Sequence, residues 1–308
     1  MMPITIRCFT YEDMPKILKL LNKDRQGSYE FRPLTNQSFR SWLQEGRLRI
    51  LVGEKDGKIL GSAGYNDGYW GEEISWLITL RSKEEKNTEV VLLEQIEKYV
   101  RKGMLFAALD EGSPRIEEMK QKGYKTEGGM YHMIAELRNE RTIPNLPDGI
   151  NIRSLRRDEE KAFVEAVNSG FQTERVKMGD IEKWKKESPP FDEEWISVAE
   201  INTKIVSVVV SKPDVWYNEH FDRKRGYLGP AATLPECRGK NLASALTVRA
   251  MNFLLAKGMD SVALYTAELN ASSVSLLKKI GFEVGHHWIF VRKHFDKIGS
   301  SSSSQTIC

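Results

Sequence analysis

The chain has 308 residues, enough for two domains of about 150 residues each. Its 46 lysines and arginines nearly balance 43 acidic residues, and a net charge of +3 lacks the basic footprint of a nucleic-acid binder. No apolar run approaches the ~20 residues of a membrane-spanning helix, and 40% hydrophobic with 29% charged residues describes a soluble chain with apolar material for two cores.

The N-terminal stretch Met1 to Arg7 lacks the apolar centre of a signal peptide and reads as the approach to a strand. In the first half, strands are expected near 4–9, 49–54, 58–65, 73–79, 105–109 and 130–136, with helices between them and a hairpin closing the set. The turn-rich stretch 139–149 reads as a linker, which gives domains at 1–138 and 150–298. The serine-rich tail 299–308 is of low complexity and is expected to be disordered. Cys8, Cys237 and Cys308 are scattered without metal-ligand spacing, so no metal site is expected and a reduced, cytoplasmic setting is.

The second half repeats the first in outline. Ile4 to Arg7 matches Ile150 to Arg153 at an offset of 146 residues, as do Asn22 with Asn168 and the hairpin Asp56 to Ile59 with Asn202 to Ile205. Lys102-Gly-Met104 then matches Lys257-Gly-Met259 at 155, and Gly123-Tyr124 matches Gly281-Phe282 at 158. An insertion in the second copy at 213–222 accounts for most of the increase. Its Trp216, Tyr217 and Phe221 either wall a substrate pocket or simply pack, and its His220 is either a substrate contact or a solvated loop histidine.

Residues 226–243 carry the strongest signal. A small, apolar strand stops at Pro235, Arg238 to Asn241 form a basic loop, and apolar residues at 242, 245, 246, 250, 253 and 254 announce a helix. Free amides and the positive end of a helix dipole at such a corner favour an anion, commonly phosphate.

Here the sequence resembles the GNAT superfamily of acetyl-CoA-dependent N-acetyltransferases. The family's loop signature is Arg or Gln, two residues, Gly, one residue, then Gly or Ala; this chain has Arg238, Asn241 and Ala243 in that frame. Asn241 departs from the family's glycine but tolerates positive φ better than most residues. A strand at 261–266, Asn270, and Gly281-Phe282 eleven residues later follow in the family's order, so the resemblance covers roughly 150–295. It implies a mixed α/β (α+β) sheet in two tandem GNAT-like domains. The first would be a degenerate copy, because its loop Arg81 to Asn87 has no glycine and places Glu84 and Glu85 where phosphates need donors.

The resemblance assigns backbone groups of Ala231, Ala232 and Thr233 to the pantetheine arm of acetyl-CoA. It assigns Arg238, Gly239, Lys240, Asn241, Leu242, Ala243 and Ser244 to the pyrophosphate, and Asn270 also to the cofactor. Many family members carry a Glu eleven residues before the loop and a Tyr on the last short helix. This chain has Tyr227 at the first position and Leu276 and Leu277 at the second, so Tyr227 and Tyr265 remain as catalytic candidates. Glu236 and Cys237 beside the loop, and the neighbours His286 and His287, read as structural or surface residues. The expected partners are acetyl-CoA as acyl donor and a primary amine of a small molecule, reacting by direct attack at one C-terminal site. A non-catalytic acetyl-CoA-binding protein, or an acyltransferase for another acyl-CoA, stays open as an alternative.

Overall fold

The computed structural model describes residues 3–44, 46–68, 71–80 and 83–296, with side chains omitted for 83–86. The expected serine-rich tail and the first copy's loop at Arg81 and Ser82 lie outside these residues. In chain order the elements are β1 (Thr5–Cys8), α1 (Met14–Arg25), α2 (Asn36–Gln44), β2 (Leu48–Lys55), β3 (Lys58–Gly68), β4 (Gly71–Thr79), α3 (Lys83–Glu97), β5 (Met104–Asp110), α4 (Arg115–Gln121) and β6 (Lys125–Glu136). The second set is β7 (Ile150–Ser154), α5 (Glu160–Phe171), α6 (Asp180–Glu187), β8 (Ile196–Ile201), β9 (Lys204–Pro213), α7 (Val215–Phe221), β10 (Arg225–Thr233), α8 (Leu242–Ala256), β11 (Ser261–Ala267), α9 (Ala271–Lys279) and β12 (Glu283–His294). No described helix is long and apolar enough to cross a membrane.

The chain divides into two compact units, and they are not the contiguous halves 1–138 and 150–298. One unit is Met1–Gly129 with His287–Cys308; the other is Met130–His286. The sequence pattern predicts that each half ends in its own hairpin. Instead each ends in one long strand, which completes the sheet built by the other half. Residues 288–294 of β12 run antiparallel to 104–110 of β5 in the first unit, and 130–136 of β6 run antiparallel to 261–267 of β11 in the second. The main-chain groups of these strands need partners, and a strand of the other half supplies them along the C-terminal part of each. The segment 139–149 holds no helix or strand, and within its unit it is pinned to α8. The Arg141 amide donates to the Asn252 side chain, whose amide donates back to the Arg141 carbonyl.

In the first unit β2 alternates between two cores, as a strand with side chains on both faces must. Leu51 joins Leu92, Leu93 and Ile96 of α3 on one face, while Ile50 and Val52 join Ile17 and Leu21 of α1 and Phe39 of α2 on the other. In the second unit β9 is buried on both faces, which is why its stretch Ile205 to Val210 reads as a nearly unbroken apolar run rather than an alternating one. There Phe163 of α5, Leu246 and Met251 of α8, and Phe282 fill one continuous core.

The repeat is visible as chemistry. Arg7 binds Asp13 and Glu54, and Arg153 binds Glu159 and Glu200, each partner displaced by the same 146 positions. Asn22 and Asn168 each clasp a following backbone segment through both ends of the side-chain amide, Leu34 in one case and Val176 in the other. Asp56 and Asn202 both take positive φ, in the β2–β3 turn and the β8–β9 turn respectively.

Candidate active site

The site is built where β10 leaves β11. The two strands run parallel and pair only at Arg225–Ser261, Gly226–Val262 and Tyr227–Ala263, although both continue for several residues. On its other side β10 stays paired with β9 as far as Thr233, with a bulge between Leu228 and Ala231. The result is a gap bordered by unpaired main chain of β10.

Alternation along the strand decides which groups face that gap. The Leu234 amide donates to the Val206 carbonyl at 2.9 Å, so Ala232, two residues earlier, also turns its main chain towards β9. The Ala232 carbonyl further accepts from the Ser207 hydroxyl. Ala231 and Thr233 therefore present their main chain to the gap, and no described side chain bonds the Ala231 carbonyl. Of the three residues assigned to the pantetheine arm, Ala232 is already committed to the sheet.

After Thr233 the chain makes a single 3-10 turn at Pro235–Cys237 and enters the basic loop. Gly239 takes φ +78° with open space where a Cβ would stand, and Asn241 takes φ 61° in the left-handed region. Asparagine thus supplies the conformation that glycine supplies elsewhere, as its tolerance of that region allows. Leu242 opens α8, and the first amide with a helical partner is that of Ala245, which donates to the Asn241 carbonyl at 3.0 Å. The amides of Gly239 to Ser244 have no carbonyl acceptor among the described residues. A row of unsatisfied donors at the positive end of a 15-residue helix suits a phosphate.

Arg238 makes main-chain contacts of its own. Its guanidinium reaches the carbonyls of Gly170, at 2.8 Å, and of Thr233, at 3.4 Å. It ties the end of α5 to the end of β10 and so fixes the loop. Gly170 permits that approach, since a Cβ there would lie 2.9 Å from that of Ala232. Lys240 is exposed, and Leu242 is buried in the core as the first residue of the helix. Asn270 caps α9 by accepting from the Ser273 amide at 3.2 Å, so it sets the start of that helix.

Tyr227 and Tyr265 come together, with ring centroids 6.0 Å apart. Tyr265 is 47% exposed and stacks on its cross-strand partner His132 at 4.6 Å. Burial, with the nearby Tyr265 as a smaller cause, pushes the Tyr227 phenol up to about 12, so it keeps its proton at neutral pH. Lys212, which sequence spacing did not single out, lies opposite Tyr227 on β9. Burial holds its pKa below the usual lysine value. Its ammonium stands over the Trp184 ring at 5.6 Å and the Tyr227 ring at 5.8 Å. The only sequence signal for it was a charge close behind the apolar run of β9.

The insertion at 213–222 forms α7. Tyr217 lies against the buried Arg225 guanidinium, 3.2 Å from ring centroid to Cζ, and Asp214 binds Arg225 at 2.8 Å. Tyr217 is therefore a packing residue, whereas Trp216 is exposed. Glu236 pairs loosely with Lys204, Cys237 is buried, and no group of residues suited to a metal ion occurs among the described residues.

Residues 151–285 match the family model for the acetyltransferase (GNAT) domain. Similar curated proteins include mycothiol acetyltransferases from Streptomyces griseus subsp. griseus, 26% identical over 45% of this chain and 45% of that protein, and from Thermobispora bispora, 28% identical over 50% and 53%. The chain thus matches about half the length of these relatives. A longer match, to the mycothiol acetyltransferase of Saccharomonospora viridis, is 23% identical over 78% of each chain. Among solved structures, a GCN5-related N-acetyltransferase from Sphaerobacter thermophilus aligns over 96% of this chain and 97% of its own, with a TM-score of 0.69 at 17% identity. A tandem GNAT protein from the clavulanic acid biosynthesis pathway aligns over 95% and 98%, with a TM-score of 0.62 at 14% identity. The fold is that of GNAT acyltransferases, and residues 151–285 match the acetyltransferase (GNAT) domain of that fold.

Proposed function

We propose that the unit spanning 130–286 transfers the acetyl group of acetyl-CoA to a primary amine of a small molecule, at one site per chain. The observation that carries this reading is the open Ala231 main chain in the β10–β11 gap, followed directly by the amide row of 239–244. Ala231 and Thr233 would hold the extended arm as an added strand, and the amide row with the dipole of α8 would hold the pyrophosphate. Acetyl-CoA supplies the acetyl group as a thioester. The amine nitrogen bonds the acetyl carbon, the carbon–sulfur bond breaks, and the thiol leaves with a proton. Main-chain amides at the bulge would favour the oxyanion.

Tyr227 does not serve as a base in this scheme, since its phenol stays protonated; it donates a hydrogen bond instead. The amine arrives deprotonated or loses its proton to water, so the rate should rise with pH through the acceptor's own pKa. No limb from Tyr227 should appear below pH 10, because its phenol titrates at about 12. The relatives' name, mycothiol acetyltransferase, supports a small acceptor over a protein tail. The first unit is read as a degenerate copy that shapes or supports the second.

The test is thiol release from acetyl-CoA against a panel of amino acids, amino sugars and polyamines, with calorimetry for stoichiometry. Turnover with at least one amine and one acetyl-CoA per chain is expected; two equal sites would overturn the single-site reading. The lack of a carboxylate base at Tyr227 favours a second reading, a non-catalytic acetyl-CoA-binding protein. Binding of acetyl-CoA without turnover of any amine would select it.

A further inference from the structure

Lys212 has an environment that the transfer chemistry does not account for. It is half-buried on β9, cross-strand from Tyr227, which is also the last residue of β10 to pair with β11 before the gap opens. Trp184 of α6 and Tyr227 flank its ammonium. Ring faces hold a cation in place but accept no strong hydrogen bond, and an ammonium has three donors to satisfy.

No ion pair among the described residues includes Lys212. The carboxylates whose fields reach it are Glu187 of α6 and Asp214, with Lys183 opposing them, and Asp214 is occupied by Arg225. Arg175 is close enough to act on the Tyr227 phenol. A partly desolvated cation without a counter-ion is costly, and a ligand anion that reaches it offsets that cost. The position beside Tyr227, at the end of the gap away from the phosphate loop, belongs to the acceptor rather than the donor.

We infer that Lys212, held between Trp184 and Tyr227, is an anion subsite that takes the carboxylate of the acceptor, so that the preferred acceptor is an amine bearing a carboxylate, such as an amino acid. The inference names the acceptor class within the transfer reading above and rests on it for the word acceptor. The structural claim is that this point binds a carboxylate.

The test uses the full chain with CoA and the product-like probes N-acetylglycine, N-acetylleucine and N-acetylphenylalanine, each compared with its carboxamide by calorimetry. A charge-assisted hydrogen bond to a carboxylate should make each acid bind at least about tenfold tighter than its amide. Lys212→Met should remove that preference and Lys212→Arg should restore part of it, with CoA affinity and the far-ultraviolet spectrum showing that both variants fold. Equal binding of acids and amides by the wild type, or a preference that survives in Lys212→Met, overturns the subsite. Thiol-release rates with the corresponding free amines, run in parallel, separate the two ideas. A carboxylate preference in binding with no amine acetylated would leave the subsite standing and defeat the transfer reading. Acetylation of amines regardless of a carboxylate would do the reverse.

Discussion

The two units contain the same gap and treat it in opposite ways. In the first, β4 and β5 pair only at Glu72–Leu105 and Glu73–Phe106 before parting, just as β10 and β11 do after Tyr227. The bond from the Leu80 amide to the Leu60 carbonyl matches that from Leu234 to Val206, which makes Leu77 the counterpart of Ala231. The Leu77 carbonyl, however, accepts from Arg115 at 3.1 Å, and the Ser75 carbonyl accepts from Arg25 at 3.2 Å. Glu89 of α3 holds Arg115 in place. The first unit thus sets arginines on gap-facing carbonyls at Leu77 and Ser75, whereas in the second the Ala231 carbonyl has no side-chain donor among the described residues and only Thr233 receives an arginine. The two copies share the backbone of the gap and differ in the side chains that reach it.

The largest expected effect comes from the open gap. Ala243→Glu puts a carboxylate at the first turn of α8, where it repels phosphate yet suits the helix dipole. Acetyl-CoA affinity should fall by about a hundredfold, the upper range for a charged hydrogen-bonding contact, while the thermal midpoint holds or rises. Calorimetry and melting curves on the same sample check both; unchanged affinity would remove the loop from the site and end the contrast between units.

Next is the filled gap. Arg115→Ala leaves the Leu77 carbonyl without its donor and Glu89 without one of its cations, and should cost about 1.5 kcal/mol in urea unfolding. Stoichiometry should remain one acetyl-CoA per chain. A second site appearing in this variant would show that the arginine alone had closed the first gap.

Arg238→Met sharpens the role of the loop arginine. A tether between Gly170 and Thr233 predicts a loss of about 1 kcal/mol of stability and a smaller fall in acetyl-CoA affinity than Ala243→Glu gives. A phosphate ligand predicts the opposite ranking. Comparing the two variants by melting and by titration decides which role dominates.

The smallest effect concerns what the units share. Hydrogen bonds from Arg7 hold the Asp13 carboxyl down at about 2, and Arg153 likewise lowers that of Glu159. Folding keeps these acids ionised to lower pH than unfolding does, so their contribution is complete above the ordinary carboxylate range and is lost as pH falls towards 2. The thermal midpoint should drop between pH 4 and pH 2, and Asp13→Asn should flatten that drop. The corresponding Glu159→Gln should act in the same direction, and a variant with no effect on the acid slope would separate the two triads.

Features encoded by neighbours in the chain were legible in the sequence. The offset of 146 identified Arg7 with Arg153 and Asn22 with Asn168 because each motif closes within a short stretch or an adjacent strand. Asn241 in the left-handed region and the helix beginning at Leu242 followed from local backbone preference and apolar spacing. Tertiary structure alone decided which ladder each closing strand joins, since a strand's sequence marks it for pairing without naming its partner. It also decided that Ala232 faces the sheet while Ala231 faces the gap, a matter of register against β9, and that Arg238 and Arg115 end on carbonyls tens of residues away. Lys212 belongs with these: its spacing in β9 is unremarkable, and only the packing of Trp184 and Tyr227 around it makes it a cation in search of an anion. Backbone conformation is set largely by adjacent residues, whereas the destination of a side chain depends on everything folded around it.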